Sequence, residues 1–151
     1  MRKAVRAIIL KDDSILLIHR NKFGSEYDVL VGGGVGLGEN SEQALMREIQ
    51  EETGVVVTQP RLVYIERAGE PYGDQLIFIC RYVSGDPMLA ESSPEFKIDQ
   101  MGSNRYQPVW RKFDELDHDN FRSPALKQAI IHGLKYGFPQ QPIDITNSEQ
   151  V

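Results

Sequence analysis

The chain opens with alternating apolar runs and short polar breaks, a pattern that sets out strands before any helix. Residues 4–10 are apolar except for Arg6, and Lys11-Asp12-Asp13-Ser14 breaks the run. Residues 15–20 resume it, so the two are expected to pair as a β-hairpin. Residues 21–28 are polar apart from Phe23 and Tyr27 and are expected to form a loop. A short apolar stretch, residues 29–31, then leads into Gly32-Gly33-Gly34. Beyond the glycines the period changes. Ala44, Leu45, Met46 and Ile49 give a helix its buried side, Asn40 and Gln43 have capping-box spacing, and Gly54 stands where a left-handed residue closes a helix. Residues 55–58, 62–65, 75–83 and 108–113 read as strands, and residues 84–102 as an acidic loop. Ser123-Pro124 supplies the cap and first position of a last helix, carried by Leu126, Ala129, Ile130 and Leu134 and ended by Gly137 and Pro139. The expected fold class is α/β, a mixed sheet with helices packed on its faces. Residues 1–139 are expected to be one domain and residues 140–151 a flexible tail.

Composition narrows the function classes. At 151 residues, 40% hydrophobic and 26% charged, the chain resembles an ordinary globular domain. Its net charge of −5 and lack of any Lys/Arg run argue against nucleic acid as the main partner. A negative surface also repels anions at long range, so a phosphate substrate would need a local cation. Cys80 is the single cysteine, so no intrachain disulfide can form. It sits in an apolar run, where core packing in a reducing compartment is expected. The first apolar run stops too early for a signal-peptide core, and no stretch is long enough to span a membrane. A cytoplasmic location without a membrane partner is expected.

The chemistry concentrates between Gly33 and Val55. Glu48, Glu51 and Glu52 lie three and four apart on one helix, so their carboxylates converge, and Arg47 stands four before Glu51. Converging carboxylates repel one another unless a counter-charge is present. Mg²⁺ takes oxygen ligands and is commonly shared between carboxylates and substrate phosphates. The glycine loop ahead of the helix lets backbone approach a ligand. It is not a Walker loop, because Gly38 is followed by Glu39 and Asn40, and no register gives G-x-G-x-x-G.

Gly33, five residues, Glu39, seven residues, then Arg47-Glu48-Ile49-x-Glu51-Glu52-x-Gly54-Val55 resembles the Nudix box at every defined position. A chance match at average residue usage is on the order of one in a billion per starting point. The resemblance implies an α/β/α sandwich and Mg²⁺- or Mn²⁺-dependent hydrolysis of nucleoside diphosphates linked to another moiety. It implies Glu48, Glu51 and Glu52 as metal ligands, with Glu48 alternatively the base, and Arg47 as the residue that orients them. Gly33 and Gly34 resemble the loop glycines, the Gly33 carbonyl being able to reach the metal, and Glu39 resembles the box's first acid. Val31 and Gly36 stand where many members have Pro and Glu. A further acid outside the box is often used, and Glu95, ahead of Asn104-x-Tyr106-x-Pro108-x-Trp110, is preferred over Glu91. Phe23, Tyr27 and Arg67 are candidate substrate contacts beside Gly33, Gly34 and Glu39. The favoured substrate is a nucleoside triphosphate. ADP-ribose, nucleotide sugars and dinucleoside polyphosphates are alternatives within the same chemistry, and a non-catalytic nucleotide sensor is the alternative from another class. A homodimer is compatible with the chain.

Overall fold

The computed structural model describes residues 2–146. β1 (Lys3–Lys11), β2 (Ser14–Lys22) and β3 (Ser25–Gly34) lead to α1 (Ser41–Glu52). β4 (Val56–Arg67) and β5 (Asp74–Ser84) follow, then α2 (Pro94–Gln100) and β6 (Asn104–Lys112). A short 3-10 helix (Phe113–His118), α3 (Pro124–Tyr136) and β7 (Ile143–Asp144) complete the described chain. The strands form one mixed sheet in the order β6-β2-β3-β1-β5-β4-β7. The β1–β5 and β4–β7 pairs are parallel and the others antiparallel.

Alternation along the strands gives each face of the sheet its own apolar layer. Val5, Ala7, Ile9, Leu16, Ile18 and Val31 pack under Ala44, Leu45 and Ile49 of α1. Ile8, Ile15, Leu17, Leu30 and Ile77 pack under Leu126 and Ile130 of α3. The sheet is therefore sandwiched between helices, as the α/β reading expects. Cys80 is buried in the first layer, where burial pushes its thiol up to about 12.

Four expectations change. Residues 21–28 are not a loop. The β2–β3 ladder runs to Lys22↔Ser25, and Phe23 and Gly24, both at positive φ, make a two-residue turn. Lys22, Ser25 and Glu26 are exposed at the ends of these strands, while Asp28 is buried. The segments 55–58 and 62–65 are parts of the single strand β4, whose register shifts conceal its alternation. The acidic stretch 84–102 contains α2, capped by the Ser93 side chain on Phe96 N. Residues 140–151 were expected to be loose, yet β7 pairs with β4, Ile145 N donates to Ile65 O, and the Ile145 side chain is buried. Residues 147–151 of that expected tail lie outside the described residues.

Candidate functional site

Arg47 organises the acidic side of α1. Its Nε and Nη2 donate to the two oxygens of Glu39 at 2.7 and 2.9 Å, and Nη2 also donates to Gly34 O at 3.1 Å. Its Nη1 donates to Glu48 at 2.9 Å and to Glu51 at 3.3 Å. One planar guanidinium thus spans the glycine loop and two helix acids, a task suited to its fixed fork of donors. Arg47 holds the Glu39 carboxyl below its usual range, helped by the Gly36 amide. Asn40 and Gln43 complete the capping box that starts the helix one turn earlier.

Glu52 lies one helical turn beyond Glu48 and is 5% exposed. Its Oε1 accepts from Gly32 N at 2.6 Å. Gly32 itself is required by the close approach of β1, because a Cβ at its φ of 153° would stand 1.9 Å from Val5 O. Burial pushes the Glu52 carboxyl up to about 8. Arg6 and the Gly32 amide oppose that shift, while the charges of Glu48 and Glu95 add to it. Burial also raises Glu48, against the pull of Arg47 and with the push of Glu51 and Glu95. Glu95, in the first turn of α2, joins Glu52 in lining the same cleft, and its Oε2 is buried with no hydrogen-bond partner among the described residues. Asp99 ties α2 to β6 by accepting from Arg105 Nε and Tyr106 N, each at 2.8 Å.

Glu52 and Glu95, with Gly32, line the inner end of a cleft of about 820 Å³. Arg6, the one charge in the apolar run 4–10, is opposite Gly32 in the β1–β3 register and donates to Leu30 O and Gln75. Outward, the cleft is walled by Arg20 and Lys22 of β2, Tyr27 of β3, Tyr106 of β6 and Arg122. The Arg20 guanidinium stacks on Tyr106 with 3.7 Å to the ring centre, and Arg122 stacks on Tyr27 at 3.9 Å. Tyr27 lines the cleft as expected, but it is 9% exposed and Arg122 covers its ring, so it supports a cation more than it offers a stacking face. Phe23 is 72% exposed at the hairpin tip and Arg67 pairs with Asp74 and Asp144. Neither lines the cleft. Sequence reasoning missed Arg6, Arg20, Tyr106 and Arg122. Arg6 carried a signal, as the one charge in its apolar run, whereas Arg122 reaches the cleft only through tertiary packing.

The NUDIX domain family matches residues 1–129. The chain belongs to the Nudix family. A NAD-capped RNA hydrolase NudC from Escherichia coli (strain K12 / DH10B) is 36% identical over 81 residues. That match takes in 54% of this Nudix chain but only 32% of the relative, so the chain spans about a third of the relative's length. Among solved structures, a Nudix hydrolase from Nitrosomonas europaea is 25% identical with a TM-score of 0.62, covering 85% of both chains. An ADP-ribose pyrophosphatase from Streptococcus suis superposes at TM-score 0.67 over 95% of this chain and 98% of its own. At 17% identity it shows the shared fold alone.

The Nudix acids fit a divalent cation by charge and donor type. Glu48 and Glu52 are buried carboxylates, the charge of Glu48 raising Glu52 and those of Glu51 and Glu95 raising Glu48, and an unsatisfied Glu95 oxygen is buried in the adjoining cleft. Hard oxygen donors of this kind suit Mg²⁺ or Mn²⁺. They do not make a ready-made cage. Among the described residues, no group of three or more acidic, His or Cys side chains stands disposed to hold a metal. Glu48 and Glu51 point their bonded oxygens at Arg47, and Glu52 points at Gly32.

Proposed function

We propose that this Nudix chain hydrolyses a phosphoanhydride bond in a nucleoside-diphosphate-linked substrate, with a divalent cation held by Glu48, Glu51 and Glu52. The observation that carries the reading is the group of carboxylates on α1, of which Glu52, raised by the charge of Glu48, lines a cleft that also holds Arg2, Arg6, Arg20 and Arg122. The bound cation would neutralise diphosphate charge and lower the pKa of an attacking water. Arg47 holds Glu48 and Glu51 at fixed positions, and the Gly32 amide does the same for Glu52. Gly33 packs against the Glu48 carboxyl, which a Cβ there would meet at 2.6 Å, and its carbonyl is a further candidate ligand. Glu95, with an oxygen free of hydrogen bonds, is the side chain available to accept a proton. Arg6 offers charge to the diphosphate from the other wall.

The length of the cleft favours a diphosphate that joins two moieties over a simple nucleoside triphosphate. Arg20 is registered with Tyr27, five residues along β3 from Gly32. At about 3.3 Å per residue that is roughly 16 Å of strand. The name of the E. coli relative points the same way, because NAD is itself two nucleotides joined through a diphosphate.

A screen of nucleoside triphosphates, ADP-ribose, NAD, nucleotide sugars and dinucleoside polyphosphates with Mg²⁺ or Mn²⁺, with products identified, tests the reading. Metal-dependent release of a nucleoside monophosphate from a conjugate is expected. Tight nucleotide binding with no turnover of any phosphoanhydride would overturn it and favour a ligand sensor.

A further inference from the structure

The basic residues of the cleft fall into two groups. Arg6 stands beside Gly32 at the inner end, within the field of Glu52 and Glu48. Arg20, Lys22 and Arg122 line the outer part. Arg20 and Lys22 share one face of β2 by alternation, and their partners Tyr27 and Ser25 on β3 line the cleft with them.

Three features mark the outer group as a built site. The ion pairs among the described residues involve none of Arg20, Lys22 and Arg122. Cations outside any of these ion pairs are unexpected in a chain of net charge −5, the more so in a cleft that Glu52, Glu66 and Glu95 also line. The two guanidinium groups are also pre-positioned. Arg20 stacks on Tyr106 and donates from Nε to Arg105 O at 3.0 Å and from Nη2 to Asn104. Arg122 stacks on Tyr27, and its backbone N donates to Asp28 O at 3.0 Å. Both guanidinium carbons lie within 6 Å of the Tyr27 ring centre, at 5.9 and 3.9 Å, so they form one cluster. Finally, the cluster gathers at Tyr27, five residues along β3 from Gly32, with Arg20 still near enough to Arg6 for its charge to act on that group.

We infer that Arg20, Lys22 and Arg122 form a second phosphate subsite, so that the preferred substrate carries a phosphate on the moiety beyond the diphosphate. The inference rests on the hydrolase reading for the identity of the inner end and adds the chemistry of the outer one. Arginine suits phosphate because its fork matches two oxygens at once, and Lys22 adds a mobile point charge.

Binding measured by calorimetry in EDTA tests the subsite apart from catalysis. The probes are matched pairs that differ by one distal phosphate, NADPH with NADH and coenzyme A with its dephospho form, alongside ATP with ADP. The phosphorylated member of each conjugate pair is expected to bind about tenfold tighter or more, the range of a charge-assisted hydrogen bond. In K22Q and R122Q that ratio is expected to fall to about threefold or less, with each variant's thermal unfolding confirming the fold. Equal affinity within both conjugate pairs, or a ratio that survives in both variants, overturns the inference. A gain confined to ATP over ADP would place the cations on a linear polyphosphate and overturn the distal assignment. Mg²⁺-dependent turnover without phosphate preference would remove the subsite and leave the hydrolase reading standing. Preference without turnover would do the reverse.

Discussion

Arg47 is the residue on which the acidic side of the site turns. It bonds Glu39, Glu48, Glu51 and the Gly34 carbonyl together. Lysine has no planar fork, so Arg47→Lys releases at least one of these groups. The expected result is a loss of turnover of roughly 10²-fold, the scale of a small misplacement of reacting groups, with little change in unfolding temperature. Steady-state kinetics beside thermal unfolding checks this. Gly32 is the opposite case, since its amide positions Glu52 while its missing side chain makes room for Val5 O. Gly32→Ala is expected to cost stability, by about 2 kcal/mol or more, as well as activity. Equal stability of Gly32→Ala in denaturant titration would show that the strand can shift to admit a methyl group.

At the scale of elements, the site depends on two short segments that hydrophobic pattern does not reveal. α2 brings Glu95 to the cleft, and Ser93 caps it while donating to Ala90 O at 2.8 Å. Ser93→Ala is expected to destabilise the protein by about 1 kcal/mol and to lower turnover by displacing Glu95. The Ser93-Pro94 pair repeats the Ser123-Pro124 start of α3, but the loop reading of residues 84–102 passed over it, because seven residues with one buried side chain carry no apolar period. The second segment runs from Asp119 to Ser123 and places Arg122. It is held to β3 by the backbone of Asp28, whose N donates to Asn120 O at 2.9 Å and whose O accepts from Arg122 N at 3.0 Å, while the fully buried Asp28 carboxylate accepts from His19 Nδ1 at 2.6 Å and Arg111 Nε at 3.1 Å. Burial, and then the contact with Asp28, pushes the Asp119 carboxyl up to about 7. A carboxyl raised on folding stabilises the fold while it is protonated, and that contribution disappears as pH rises through its folded value. His19 acts in the same direction: burial opposes the shift, but Asp28 and Glu26 raise it. The unfolding temperature is therefore expected to fall as pH rises from about 5 to about 8, and Asp119→Asn is expected to flatten that fall. An unchanged slope in Asp119→Asn would remove Asp119 from the account.

Across the whole molecule, the box and the helix that carries it were readable because capping, carboxylate spacing and the closing glycine all lie within one short stretch of sequence. The cleft was not, because its wall is assembled from β1, β2, β3, β6 and the segment before α3, elements distant in sequence. Arg67 illustrates the limit. It lies two residues past the expected strand 62–65, and its engagement by Asp74 depends on β4 pairing with β5 and that by Asp144 on β7 pairing with β4. That pairing also makes the C-terminal segment part of the fold through Ile145, which is buried beside Tyr64 and Ile130. Ile145→Ala is expected to destabilise the protein by about 2 kcal/mol or more, measurable as a lower midpoint in urea.

The central claim is that buried carboxylates on α1 bind a divalent cation that hydrolysis requires. Turnover of the best conjugate substrate, titrated with Mg²⁺ in the wild type and in Glu48→Gln and Glu52→Gln, tests it most directly. The expected result is turnover that vanishes without the metal and in both variants, while both remain folded. Metal-independent turnover, or full activity in both variants, would contradict it.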